Sequence, residues 1–215
     1  MAPLQNLDPD QLLTTTRSVR KRLDLERPVE REVLEECLEV ALQAPTGSNN
    51  QGWQWVFVTD PEKKQFIADR YNDTFRLYVQ SAGATYPEGD PRNEHREAVR
   101  ESAVYLADHL HEVPVMLIPC HMGRVDGADA TTQAGYWGSI LPAVWSYMLA
   151  LRARGLGSAW TTLHLPKERE VAELLGIPYD RVTQAGLFPI AYTKGTDFKV
   201  ASRLPGSAVS HWDTW

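Results

Sequence analysis

Between Glu30 and Ala44, apolar Val33, Leu34, Cys37, Leu38 and Ala41 recur every three or four residues opposite Glu32, Glu35, Glu36 and Glu39. That period predicts a helix with one buried face, stopped by Pro45. A shorter helix is predicted before it, from about Asp8 to Thr16, with Asp8 as N-cap and Pro9 at the first helical position. Trp55 to Thr59 is aromatic and β-branched and predicts a strand, after which Asp60-Pro61-Glu62 opens a helix reaching about Ser81. Gly83 to Asn93 is rich in Gly and Pro and predicts a surface loop long enough to form a lid. Val99, Ala103, Leu106, Ala107 and Leu110 then support a helix from about Glu94 to Leu110.

Val113 to Pro119 is continuously apolar, the pattern of a buried central strand, and Pro114 and Pro119 predict a short one. Gly123 to Gly135 reads as a polar connection. The most apolar long stretch follows as a core helix from about Gly138 to Arg154, ended by Gly155. Ser158 to Leu163 predicts a strand, Pro166 to Leu175 a helix, and Val182 to Thr193 a strand interrupted around Gly186 and Pro189. The tail from Gly195 to Trp215 has no periodicity. Helices and strands mingle without a regular β-α-β series, so the expected class is α+β, a helix-flanked central sheet in a single domain over residues 1–215.

Composition narrows the partners. The 215 residues carry 22 basic and 28 acidic side chains, a formal charge of -6, and apart from Arg17, Arg20, Lys21 and Arg22 the cations are dispersed. No nucleic-acid groove is expected, and a small-molecule partner is. The two cysteines, Cys37 and Cys120, offer no disulfide framework, and the reading is a reduced, cytoplasmic chain. The N-terminal residues lack a signal-peptide core, and the apolar stretch around Pro142 is too short for a membrane span.

Chemistry concentrates in a few segments. Arg17-Ser18-Val19-Arg20 offers guanidiniums three residues apart, which would share one face if the opening helix ran on by a turn and could then meet a phosphate; cations there could equally complement the helix dipole. Ala44 to Trp53 brings Thr46, Ser48, Asn49, Asn50 and Gln51 before an aromatic strand, either lining a pocket or serving as ordinary turn residues. Gly155-Leu156-Gly157-Ser158 follows a helix and lacks a third glycine, which excludes a dinucleotide fingerprint and leaves a helix cap as the plain alternative.

Arg17, Ser18 and Arg20, taken with Pro45, Thr46, Asn49, Gln51 and Trp53, resemble the paired signature of the nitroreductase family of FMN oxidoreductases. The Gly155 to Leu163 segment and Arg203-Leu204-Pro205 before His211-Trp212 extend the resemblance over nearly the whole chain, with departures at Thr16, Gly52, Thr162 and Leu163. The resemblance implies a homodimer with FMN at the subunit interface. Arg17, Ser18 and Arg203 would hold the phosphate, with Lys199 a weaker second candidate, and Arg20 would lie near the ring atoms N1 and O2. Pro45, Thr46, Asn49 and Gln51 would reach the cofactor from the second subunit, and backbone amides at Thr162 and Leu163 would approach N5. It further implies ping-pong transfer of two electrons from NAD(P)H to a nitroaromatic or quinone, with the flavin carrying the chemistry and no side-chain acid or base.

Other chemistries fit less well. There is no G-x-S-x-G elbow, and His109, His111 and the Cys120-His121 pair match no zinc spacing and read as surface or strand-edge residues. Two alternatives to a reductase stay open: a flavin-sequestering protein with little turnover, or a flavin-fragmenting or dehalogenating relative, which the loop from Tyr86 to Arg100 would decide.

Overall fold

Alternation along the central strand organises the molecule. In the computed structural model, which describes residues 4–80, 86–93 and 95–215, β2 (Val115–Met122) directs Met116, Ile118 and Cys120 into one core and Val115 and Leu117 into another. β1 (Trp53–Val58), β4 (Val182–Gln184) and β5 (Phe188–Tyr192) all pair antiparallel with β2, and β3 (Leu156–Ser158) pairs antiparallel with β5. The order β1-β2-β5-β3, with β4 continuing β5 along β2, makes a five-stranded sheet. Helices α3 (Pro61–Gln80), α4 (Arg96–His109) and α6 (Glu168–Leu175) cover one face, and α2 (Arg31–Ala41) and α5 (Ala130–Ala153) the other. This is the expected α+β class.

The proline expectation for β2 fails, for a physical reason. β2 runs eight residues straight through Pro119. Leu117 pairs with Phe188 and Cys120 with Gln184, so residues 185–187 oppose only 118 and 119, a bulge. Ala185 donates its N–H to the Pro119 carbonyl at 2.8 Å, so the side of Pro119 that lacks a donor faces the bulge, where no ladder bond is needed. Pro189, expected to interrupt the next strand, lies inside β5.

The long helix starts earlier than its apolar pattern. Asp129 accepts from the amides of Thr131 and Thr132, capping α5 at Ala130 and drawing residues 130–135 of the expected connection into the helix. Among the described residues no helix is long and apolar enough to cross a membrane. The opening helix α1 (Pro9–Thr15) has the predicted Asp8 cap but ends in extended backbone at Thr16, so Arg17 and Arg20 do not share a helical face. Residues 81–85 and 94, which fall in the expected lid loop and at helix boundaries, lie outside the described residues.

Two features hold the segments around the sheet's β3 edge. Val19 donates to the Ser158 carbonyl at 2.9 Å, laying residues 17–20 beside β3, and Gly157 permits the approach because a Cβ there would stand 2.7 Å from Thr193 Cγ2 and 2.9 Å from Val19 Cβ. Beyond β3 the chain is held from within. Fully buried His164 shares Nε2 with Gln184 Oε1 at 3.1 Å, Gln184 donates to the Glu168 carbonyl at 3.0 Å, and the Glu168 carboxylate takes Arg124 at 3.1 Å.

Gly157→Ala is expected to lower stability by ~1–3 kcal/mol through overpacking, read as a fall in melting temperature. Burial pushes the His164 imidazole down to about 4, so the folded protein holds it neutral where the unfolded chain protonates it. That contribution is fully present above pH ~6.5 and is lost as pH falls toward 4, a drop of ~3 kcal/mol that a His164→Gln variant should lack in denaturant titrations across that range.

Candidate functional site

Beside β3, half-buried Arg17 faces the tail residue Arg203. Burial first, and then the positive charge of Arg203, lower the Arg17 pKa. Neither guanidinium has a carboxylate partner among the described residues; Arg203 donates only to the neighbouring Ser202 carbonyl. Two neighbouring like charges without a counter-charge make this a candidate anion site. The tail is rooted to make this possible: Arg22 donates to the Lys194 carbonyl at 2.9 Å and pairs with Asp197, while Arg152 donates to the Thr196 carbonyl at 3.0 Å. The guanidiniums of Arg22 and Arg152 both lie over the Phe198 ring, at 4.3 and 4.9 Å from its centre.

Arg20 turns the other way, toward α4. It donates to Ser102 Oγ at 3.4 Å, burial lowers its pKa, and the nearby phenols of Tyr71 and Tyr78 oppose that shift. Between the end of α3, the start of α4 and the tail at Ser202–Leu204 opens a cleft of about 1130 Å³, with Arg203 in its wall. Ser102 as the partner of Arg20, and Tyr78 and the α4 residues as cleft wall, are not marked in the sequence, because nothing around them differs from an ordinary amphipathic helix.

The expected strand from Ser158 to Leu163 stops at Ser158, and the rest of the segment is irregular. Thr161 exchanges both backbone bonds with Leu187, which leaves Thr162 exposed and Leu163 packed on the core. Among the described residues the amides of Thr162 and Leu163 donate to no backbone carbonyl. The Ser158 hydroxyl is buried and also has no partner there. Ser18, beside it, is exposed, as are Lys199, His211 and Trp212.

The loop before β1 is conformationally unusual. Ser48, Asn49 and Gln51 have φ of 53, 55 and 50°, the left-handed region that non-glycine residues adopt at a cost of ~1–2 kcal/mol each. Gln51 holds it, donating its amide N–H to Thr46 Oγ1 at 3.2 Å and its side chain to Asn49 Oδ1 at 2.8 Å. Pro45, Asn49 and Gln51 are exposed and Thr46 half-buried. Gly52, at its end, packs on His121, which is buried against Tyr136 and paired on both sides within β2, and so is neither the surface nor the strand-edge residue expected; partly exposed His109 pairs with Glu112.

The two motifs do not meet within one chain. Trp53 pairs with His121 at one end of β2, whereas Ser18 bridges Ser158, which pairs with Ile190 and through it with Val115 at the other end. The separation is ~20 Å along the strands and, across four strand spacings, roughly as much again. They occupy opposite corners of the sheet.

The family model described as the Nitroreductase family matches residues 13–192. The chain is 26% identical over 186 residues to a putative NADH dehydrogenase/NAD(P)H nitroreductase of Archaeoglobus fulgidus, covering 86% of this chain and 84% of that protein. It is 27% identical over 201 residues to 4-nitrobenzoate reductase of a Nocardioides strain, covering 83% and 78%. A shorter match to the protein DrgA of Synechocystis, 35% identical, covers 32% of this chain and 35% of that one. Among solved structures, the FMN and NADPH-dependent nitroreductase NfnB from a Sphingopyxis strain superposes with a TM-score of 0.69 at 24% identity, over 97% of this chain and all (100%) of that one. Iodotyrosine deiodinase bound to FMN and 3-iodo-L-tyrosine reaches 0.70 at 24% identity, over 95% and 98%. With the fold in agreement and the family match running from α1 to the end of β5, the chain belongs to the Nitroreductase family.

Proposed function

We propose that this protein is a homodimeric FMN-dependent oxidoreductase that passes two electrons from NAD(P)H to a nitroaromatic or quinone acceptor. The observation that carries the reading is that Arg17 and Arg203 face each other without a carboxylate partner among the described residues, with Arg203 in the wall of a large cleft. The residues present fit FMN: that pair and Ser18 suit its phosphate, and the free amides of Thr162 and Leu163 suit the polar edge of a planar ring. FMN supplies the acceptance of hydride from a nicotinamide and its delivery to the second substrate. The protein supplies orientation and charge. Arg20, fixed by Ser102, would place a half-buried cation where negative charge grows on reduction, and such a cation favours the reduced ring. The corner-to-corner separation of the motifs supports a site completed by a second copy, whose Pro45, Thr46, Asn49 and Gln51 would meet Arg17 and Arg20 of the first. Exposed Val209, Trp212 and Trp215 on the tail, and Trp145 on α5, give such a copy apolar surface to cover.

Purified protein is expected to carry FMN, to bleach anaerobically with NADH or NADPH and to recover colour with a nitroaromatic or quinone. Flavin that no donor reduces would instead indicate sequestration. Arg17→Ala and Arg203→Ala should each weaken FMN about ten- to a hundredfold, the worth of one charge-assisted contact, and change riboflavin affinity far less. For the shared site, Arg17→Ala and Asn49→Ala chains bearing different tags should each bind FMN poorly alone, yet their mixed dimer should regain one intact site. Failure of the mixed dimer to bind would return both motifs to a single chain.

A further inference from the structure

The cleft holds more positive charge than a phosphate site uses. Its wall includes Arg96 and Arg100 on α4, opposite Arg203 on the tail, along with Arg92, whose guanidinium is already paired with Asp90. Neither Arg96 nor Arg100 makes an ion pair with any described residue, and Glu97 is the one carboxylate among the described wall residues. Their placement is electrostatically costly in the protein alone. They stand at i and i+4, where like charges repel, and Arg96 opens the helix, where the backbone dipole is already positive. Tyr78, Val99 and Leu204 are among the aromatic and aliphatic side chains of the same wall. A cavity that sets unpaired guanidiniums among an aromatic ring and aliphatic side chains is complementary to a ligand that is flat, apolar and negatively charged at one end.

We propose that Arg96 and Arg100 bind the anionic substituent of an aromatic electron acceptor, selecting aromatic carboxylates over their neutral counterparts. The inference rests on the oxidoreductase reading above and deepens it by naming the substrate class. Arg17 and Arg203 answer the phosphate charge, which leaves the two α4 arginines for the acceptor. α4 also carries Ser102, the residue that fixes Arg20, so one helix bears both the contact to the flavin-side cation and the acceptor-side cations.

The test uses FMN-loaded protein and a matched pair of probes, 4-nitrobenzoate and 4-nitrobenzyl alcohol, with equilibrium binding measured by calorimetry without any electron donor. 4-Nitrobenzoate is expected to bind the wild type more tightly, with an affinity that falls as salt rises, while the alcohol is insensitive to salt. Arg96→Gln and Arg100→Gln should each weaken 4-nitrobenzoate by about tenfold and leave the alcohol within about twofold. Equal affinity for both probes in the wild type, or equal loss of both in the variants, would overturn the proposal. If a variant misfolds, the salt dependence of the wild type still decides. A steady-state arm separates neighbouring readings. A loss confined to NADPH relative to NADH, with acceptor preference unchanged, would assign the arginines to the donor's extra phosphate and overturn the acceptor role. Arginine-dependent binding of 4-nitrobenzoate in a protein that no nicotinamide reduces would sink the oxidoreductase reading and keep the anion site. Turnover of neutral and anionic acceptors with equal kcat/KM would do the reverse.

Discussion

The backbone bond from Val19 to the Ser158 carbonyl is the constraint on which the site depends. It fastens the arginine-bearing segment to the β3 edge of the sheet, and it forms only because the residue before Ser158 has no side chain. From that line of attachment Arg17 is directed to the tail and Arg20 to α4, so one short stretch of extended backbone sends its two cations to different elements. A helix through the same residues would have aimed both guanidiniums the same way. The termination of α1 at Thr16 is therefore as important to the site as the arginines themselves.

The other half of the signature follows a different logic. Its loop carries three non-glycine residues in the left-handed region, held by its own side-chain bonds and by the Gly47 amide, which donates to Ser139 Oγ of α5 at 3.0 Å. Backbone strain of this kind persists where the surroundings over-determine a conformation, and it concentrates at binding surfaces. The loop presents formed polar groups at a corner of the sheet where its own chain offers no cationic counterpart among the motif residues, which gives the proposed second copy a reason to dock there.

Much of the fold is legible in the sequence because the information is local. The periodicity from Val33 to Ala41 and the cap at Asp8 each settle an element with neighbours a few residues away. The start of α5 is hidden because Ala130 to Gly135 have no apolar stripe, and the Asp129 cap decides it. The expectation for β2 fails at Pro119 because whether a proline is tolerated depends on the strand opposite, more than sixty positions later in the chain. At the site, Arg17, Ser18 and Arg203 are marked by their motifs. The cleft wall on α4 is not, because Arg96 and Arg100 come to line the cleft only when α3 and the tail pack beside them.

The proline in β2 also bears on how the sheet finds its pairing. β2 is apolar on both faces, so hydrophobic burial alone discriminates poorly between neighbouring registers. Pro119 supplies the missing discrimination, since sliding β4 and β5 past β2 would bring a residue without an amide hydrogen to a rung that requires one. With the bulge opposite it, a single alignment leaves every rung satisfied. A residue that sequence rules count as a strand breaker thus acts as an indexing pin for the central strand.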